Sequence, residues 1–259
     1  MSSATHGYIF ANWKMYLNQE ESVALATSWR AAPRPDGYQL AVFPSALAFT
    51  SVAEALAGSS IRVGAQNVYW VDQGGYTGEV SAAMFAAAGA QYALIGHSER
   101  RHQFHETNHE VRQKLEAALA SGLTPLLCVG ETAAERSAGR TWEVIETQLR
   151  AAYHNLVWPA KTDLLIAYEP VWAISRGTER WGADCPPGEA EVIHTRISDW
   201  LQGIMSGVAP QVLFGGSVRA ANLGRYLAEP HLAGVLVGAA STQPDRWSAL
   251  LANITPRAL

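Results

Sequence analysis

The chain alternates eight short apolar, β-prone segments with longer segments that carry helical periodicity. Several of the short segments are apolar without alternation, as expected for parallel strands that are buried on both faces. Strict alternation of strand and helix predicts a parallel sheet with right-handed crossovers. The eight apolar segments are Tyr8–Ala11, Leu40–Phe43, Ile61–Ala65, Tyr92–Ile95, Pro125–Val129, Leu164–Tyr168, Val212–Phe214 and Val235–Val237.

Three of the intervening segments show clear amphipathic periodicity: Glu106–Ser121, Thr141–Leu156 and Gly188–Met205. Each places apolar residues at i, i+3, i+4 and i+7, which puts them on a single helical face. One apolar face for each helix suits helices that pack on the outside of a sheet.

Eight strand–helix units could form an open doubly wound sheet or a closed barrel. The 259 residues are close to the roughly 250 that are typical of an eight-fold barrel. No Pro- or Gly-rich linker divides the chain, and the stretch Gly177–Gly188 reads as a long loop between a strand and a helix. The sequence therefore favours the α/β class and one (β/α)8 barrel domain spanning residues 1–259.

Composition narrows the function classes. The formal net charge is −4 and Lys and Arg are not clustered, so neither a nucleic-acid nor a membrane partner is expected. Two cysteines far apart in sequence suggest neither a disulfide framework nor a metal site. No segment approaches the ~18 consecutive apolar residues of a membrane span, and the start of the chain lacks a signal-peptide pattern. A cytoplasmic location is the expectation.

Polar residues follow three of the predicted strands: Lys14 after the first, His97 after the fourth and Glu169 after the sixth. Taken singly, such residues are more often solvated loop residues, structural hydrogen-bond partners or turn residues than catalytic groups. Closure of a barrel would direct all three at one pocket, at the carboxyl ends of the strands where barrel enzymes build their active sites.

Those three residue types suit the removal of a proton from a carbon beside a carbonyl group. A carboxylate such as Glu169 can act as the base if burial raises its pKa. The resulting enediolate carries charge on two oxygens, which a cation (Lys14) and a fixed donor (His97) would stabilise. This chemistry needs neither a metal nor an organic cofactor, and no metal-ligand spacing or dinucleotide fingerprint is present.

Seven segments resemble those of triosephosphate isomerases, in the family's order and over nearly the whole chain. The segments are Asn12-Trp13-Lys14-Met15, Gly64-Ala65-Gln66-Asn67, Tyr76-Thr77-Gly78-Glu79, Gly96-His97-Ser98-Glu99-Arg100-Arg101, Cys128-Val129-Gly130-Glu131-Thr132, Tyr168-Glu169-Pro170-Val171-Trp172-Ala173-Ile174 and Gly215-Gly216-Ser217-Val218. The fourth and sixth segments together are highly specific for that family. The resemblance implies a (β/α)8 TIM barrel that acts on a small phosphorylated sugar.

The resemblance also implies catalytic roles. Glu169 would be the base that moves the proton between adjacent carbons. His97 would polarise the carbonyl as a neutral imidazole, its pKa held down by the helix start at Ser98. Lys14 would neutralise substrate charge, and Asn12 would orient both the substrate and Lys14.

Further residues receive supporting roles from the same resemblance. Glu99 would be the carboxylate beside Lys14, and Cys128 a buried cysteine that affects packing. Thr77 lies in a loop that, in the family, reaches into the neighbouring subunit, which implies a homodimer. The phosphate would be held by backbone N–H groups of Gly215, Gly216, Ser217, Gly238 and Ser175. The lid that closes over the substrate would comprise Pro170, Val171, Trp172, Ala173, Ile174, Ser175, Arg176 and Gly177.

The sequence departs from the family at several positions. Ser175 replaces a lid glycine, and the lid is longer on its C-terminal side, over Glu179–Pro187. Phe214 replaces a tyrosine whose hydroxyl helps to hold the closed lid, Ala239 replaces the second glycine of a pair, and His105 replaces a glycine. These changes fit either drift within a triosephosphate isomerase or a paralogue that interconverts L-erythrulose 1-phosphate and D-erythrulose 4-phosphate.

Two other classes are less compatible with the residues. A Schiff-base aldolase would need a lysine inside the barrel, and the sixth and seventh predicted strands contain none. A non-catalytic binding barrel would not need Lys14, His97 and Glu169 together.

Overall fold

The computed structural model of this protein describes residues 7–32, 35–174, 184–205 and 207–254. Eight parallel strands close into a barrel in the order β1 to β8, with β8 pairing back onto β1. The strands are β1 (Gly7–Asn12), β2 (Tyr38–Phe43), β3 (Arg62–Ala65), β4 (Tyr92–Ile95), β5 (Thr124–Val129), β6 (Leu164–Tyr168), β7 (Pro210–Phe214) and β8 (Gly234–Val237). The predicted (β/α)8 barrel is thus confirmed, and the open-sheet alternative is wrong.

Helices in the described part of the chain pack around the barrel. They are α1 (Gln19–Ala31), α2 (Phe49–Ala55), α3 (Ala82–Ala87), α4 (Ser98–Gln103), α5 (Asn108–Ala120), α6 (Ala133–Ser137), α7 (Thr141–Tyr153), α8 (Pro187–Ile204), α9 (Ala220–Leu227) and α10 (Pro244–Leu251). Short 3₁₀ turns cover Ala46–Ala48, Val171–Ala173 and Ala239–Thr242. No helix among the described residues has the length and hydrophobicity needed to cross a bilayer.

Alternation along the strands divides the apolar residues between two cores. On β1, Tyr8 and Phe10 pack inside the barrel, while Ile9 and Ala11 pack between the barrel and the surrounding helices. Both sets are buried, which explains why the strands read as continuous apolar segments. The filled interior leaves the carboxyl ends of the strands as the place where a pocket can form.

Helix boundaries differ from the predicted ones by a few residues, and a side-chain cap explains the start of α5. The segment predicted from Glu106 begins as a helix only at Asn108, because the Thr107 side chain accepts from the Glu110 N–H and caps it. α8 begins at Pro187, so the predicted loop Gly177–Gly188 ends earlier than expected. Residues 177–183 of that loop lie outside the described residues.

Candidate active site

One cleft at the carboxyl ends of the strands contains Asn12, Lys14, His97 and Glu169. Its volume is about 430 Å³, part of it open to solvent. The backbone at Gly215, Gly216, Ser217 and Gly238 lines the same cleft, together with Ile174, Val218, Leu236, Ala239 and Ala240. Strands 1, 4, 6, 7 and 8 therefore bring the residues predicted for proton transfer and four of those predicted for phosphate binding, Gly215, Gly216, Ser217 and Gly238, into one cavity.

His97 is a neutral imidazole whose tautomer follows from its neighbours. Nδ1 accepts a hydrogen bond from the Glu99 backbone N–H at 3.2 Å, which caps the N-terminus of α4. Nε2 must then carry the proton, and it lies 3.1 Å from Oε1 of Glu169. Burial lowers the pKa of His97 to about 3, with further lowering from the cations Lys14 and Arg100. Burial, more than the predicted helix start at Ser98, keeps this ring neutral.

Glu169 is a buried carboxylate with a donor at each oxygen. Oε2 accepts from the Ser98 backbone N–H at 2.8 Å, and Oε1 faces His97. Burial raises the pKa of Glu169 to about 7, although the Ser98 N–H and the Lys14 ammonium both act to lower it. A carboxylate with this pKa is a stronger base than an exposed glutamate, and about half of it is ionised at pH 7.

Lys14 is fixed at both its backbone and its side chain. Its φ of 50° lies in the left-handed region, which costs a non-glycine residue roughly 1–2 kcal/mol. Three contacts hold it there: its N–H donates to Asn12 Oδ1 at 3.0 Å, its carbonyl accepts from the Gln66 amide at 2.8 Å, and its ammonium meets Glu99 at 2.7 Å. The ammonium is thereby aimed into the cleft in advance of any ligand.

Backbone donors of the predicted phosphate loop are partly engaged in the described conformation. The N–H of Ser217 donates to the Ala173 carbonyl at 3.1 Å, and the Ser217 hydroxyl donates to the same oxygen at 2.7 Å. The Gly215 N–H donates to the Tyr168 carbonyl. An anion that takes its hydrogen bonds from Ser217 must first displace Ala173.

Glycine is required in this loop for reasons of space. A Cβ at Gly216 would collide with the Phe214 ring, and one at Gly215 would lie 2.8 Å from Cγ of Glu169. The alanine at position 239, where the family has a glycine, is easier to accommodate. Ala239 begins a 3₁₀ turn, a conformation that any L-residue adopts, so its methyl requires no change of backbone.

The first part of the predicted lid is anchored through Trp172. Its indole N–H donates to Glu131 at 2.7 Å, and the guanidinium of Arg136 lies 4.0 Å from its ring centroid. Arg136 also pairs with Glu189 of α8 at 2.8 Å. Pro170, Val171, Trp172, Ala173 and Ile174 are described, whereas Ser175, Arg176 and Gly177 lie outside the described residues.

The remaining predicted residues lie in different surroundings. Cys128 is fully buried inside the barrel beside Glu169, and burial raises its thiol pKa well above the ordinary value. Thr77 lies away from the cleft, on an exposed loop between β3 and α3. The backbone of His105 has φ 56°, which lies in the left-handed region that favours glycine.

Sequence reasoning did not assign roles to several residues that hold the site together. Gln66 fastens the backbone of Lys14, Glu131 and Arg136 hold Trp172, and the Ser98 N–H holds the carboxylate of Glu169. All of these residues except Arg136 lie in the family-like segments, so the sequence could have indicated that they belong near the site. The contacts depend on long-range closure of the barrel and could not be read from local pattern.

The fold and the site together define a class: a (β/α)8 barrel whose cleft at the carboxyl ends of the strands contains a buried carboxylate, a neutral imidazole and an ammonium group. Comparison with known proteins narrows it. The family model described as triosephosphate isomerase matches residues 7–254. This chain belongs to the triosephosphate isomerase family, whose members are cofactor-independent isomerases.

Individual relatives cover almost the entire chain. A protein named triosephosphate isomerase from Moorella thermoacetica is 41% identical over 246 residues, which are 94% of this chain and 96% of that protein. The proteins of the same name from Pseudomonas entomophila and Lactobacillus delbrueckii subsp. bulgaricus are 41% and 36% identical, over 93% and 94% of this chain and 96% of each relative. The comparisons give the four-carbon paralogue hypothesis no support.

Proposed function

We propose that this protein interconverts glyceraldehyde 3-phosphate and dihydroxyacetone phosphate by proton transfer through an enediolate. The observation that carries the proposal is the convergence of Glu169, His97 and Lys14 on one cleft lined by the Gly215–Ser217 loop. A buried base, a neutral imidazole donor and a cation are the three groups that this reaction uses. The names of the relatives supply the three-carbon substrate.

The geometry suggests how substrate binding switches on the base. Both oxygens of Glu169 accept hydrogen bonds in the described conformation, from Ser98 and His97. If a substrate carbonyl oxygen lay against His97, the Nε2–H would donate its hydrogen bond to that oxygen and no longer to Glu169. That exchange would free Oε1 of Glu169 to accept a proton from the carbon beside the carbonyl.

The remaining steps follow from charge. As the proton leaves, negative charge develops on the substrate oxygen, where the His97 N–H and the Lys14 ammonium meet it. His97 would give its Nε2 proton to the former carbonyl oxygen and take back the proton of the neighbouring hydroxyl, which moves the O–H proton between the two oxygens. The protonated Glu169 then returns the carbon-bound proton to the adjacent carbon, which completes the isomerisation. Because the pKa of Glu169 is about 7, both its ionised and its protonated forms are accessible near neutral pH, so the same group can act as base in one step and as acid in the next.

A direct comparison of substrates tests the proposal. We expect a kcat/KM for glyceraldehyde 3-phosphate that exceeds the value for L-erythrulose 1-phosphate by at least ~10-fold. Phosphoglycolate, which mimics the enediolate and its phosphate, should inhibit competitively. A protein that turns over only the four-carbon substrate, or neither one, would contradict the assignment.

We also propose that the protein is a homodimer. Large apolar side chains are exposed on segments that follow four neighbouring strands, β1 to β4. They are Met15 (95% exposed), Leu47 (76%), Tyr76 (43%) and Phe104 (65%). Adjacent strands place these segments side by side, so they form one apolar face, and such faces commonly mark interfaces. On the family resemblance, the Thr77 loop of one subunit would reach the Asn12 region of the other.

Sedimentation velocity distinguishes the dimer from a monomer. Met15→Glu places a charge on the proposed interface and should shift the protein to the monomer. Val157→Glu is the matched control, because Val157 is 88% exposed but precedes β6 at the opposite end of the barrel. A wild-type monomer, or dissociation by both variants, would refute the interface.

Location is the final part of the proposal. Both cysteines are free and buried, and free thiols persist in reducing compartments. We therefore place the protein in the cytoplasm, which fractionation of the native organism would test.

A further inference from the structure

Phe214 connects the phosphate loop to a tyrosine on a neighbouring helix. Its ring stacks on that of Tyr226 in α9, with centroids 4.2 Å apart and planes 19° from parallel. The Cζ edge of the same Phe214 ring lies so close to Gly216 that a Cβ there would come within 2.4 Å of it. All three residues are therefore in one packed column that starts at the cleft.

The hydroxyl of Tyr226 extends this column to the segment that leads into α8. It donates to the carbonyl of Cys185 at 2.5 Å, and both residues are buried. The same segment has a second connection to the phosphate-loop side, because the guanidinium of Arg219 pairs with the carboxylate of Asp184. Chain positions 184–185 are thereby fixed against the loop 215–217.

We propose that Tyr226 is a positioning residue for phosphate binding, which holds Cys185 at a set distance from the Gly215–Ser217 loop through its hydroxyl. This inference rests on the proposed function. Its physical basis is that Ala173 and Cys185 are both connected to the Gly215–Ser217 loop. Ala173 contacts Ser217 directly, and Cys185 contacts it through Tyr226 and Phe214.

Tyr226→Phe removes the hydroxyl and keeps the stacked ring. With one positioning hydrogen bond lost, kcat/KM for glyceraldehyde 3-phosphate should fall by ~2- to 13-fold. The affinity for phosphoglycolate should fall by a similar factor. The turnover of glyceraldehyde, which has no phosphate, should stay unchanged.

Tyr153→Phe is the matched control. Tyr153 is an equally buried tyrosine of α7, and its hydroxyl has no hydrogen-bond partner. Removing that hydroxyl should leave both substrates unaffected. A purely structural role of Tyr226 would lower the rates with both substrates together, and that result would overturn the inference, as would wild-type values for both.

A second variant keeps the test informative if Tyr226→Phe folds poorly. Asp184→Asn breaks the more exposed ion pair with Arg219 and should shift kcat/KM in the same direction by a smaller factor, again only with the phosphorylated substrate. No change with this variant would count against the inference. Wild-type protein that lacks isomerase activity would instead refute the proposed function.

Discussion

The Nε2 of His97 lies 3.1 Å from Oε1 of Glu169, so the predicted electrophile and the predicted base are in direct contact. Because Nδ1 accepts from Glu99, the contact is a hydrogen bond from a neutral ring to a carboxylate. A charged imidazolium at this position would lower the pKa of Glu169 and make its carboxylate a weaker base, and the neutral ring avoids that. It also makes the donor available to a substrate oxygen.

The pKa of the base is the first prediction. Burial raises the pKa of Glu169 to about 7, and the pKa of His97 is about 3. A ¹³C NMR titration of glutamate-labelled free enzyme, assigned with Glu169→Gln, should show one carboxylate that titrates near pH 7. The imidazole of His97 should stay neutral from pH 5 to 9. A Glu169 pKa between 4 and 5 would contradict this account.

Stability should depend on the same ionisation. The folded-state pKa of Glu169 lies above the unfolded value of roughly 4.3, so burying the charged form is unfavourable. The cost is absent below about pH 4, grows between about pH 4 and 7, and is complete above pH 7. Glu169→Gln removes the ionisation, so its Tm relative to wild type should be higher at pH 8 than at pH 5. A difference that does not change with pH would refute the raised pKa.

His105 offers a prediction about stability without any change in activity. It holds φ 56° on the exposed turn between α4 and α5. His105→Gly should stabilise the protein by up to about 1 kcal/mol, which is a rise in Tm of roughly 2–4 °C. His109→Gly, in the first turn of α5, should destabilise it instead. Thermal melts of both variants measure the two signs, and a loss of stability in His105→Gly would show that the turn is not strained.

Lys14 should contribute to the transition state through its charge. Lys14→Gln removes the ammonium that faces the cleft, and we expect kcat/KM to fall by ~10²–10³-fold. Lys161 also has a positive φ but is exposed before β6, so Lys161→Gln should leave the rate unchanged. Steady-state kinetics with glyceraldehyde 3-phosphate decide between these outcomes. A Lys14→Gln loss below about 5-fold would exclude an electrostatic role.

The barrel could be predicted because its strands are locally encoded. Short apolar segments such as Leu164–Tyr168 need no partner to be recognised, and their alternation with amphipathic helices fixes a parallel sheet. The observed β6 has the predicted bounds. The predicted limits of α5 and α8 differ from the observed ones by one or two residues, because the Thr107 cap sets the start of α5 and Pro187, the first residue of α8, sets the start of that helix.

The site was predictable in its residue types but not in its present contacts. Sequence placed Glu169, His97 and Lys14 at strand ends, and barrel closure brings them together. Nothing local indicates that Ser217 donates to Ala173, or that Ser98 holds the carboxylate of Glu169. Such contacts join segments 44 and 71 residues apart, and they depend on the conformation of the loops as well as on the fold.

The most direct test is the rate of Glu169→Gln with glyceraldehyde 3-phosphate at pH 8. Glutamine keeps the shape of the side chain and can still accept from the Ser98 N–H, but it cannot take a proton from carbon. The account predicts a loss in kcat/KM of at least 10²–10⁴-fold in a protein that remains folded by circular dichroism. A folded variant that keeps wild-type turnover would show that Glu169 is not the base.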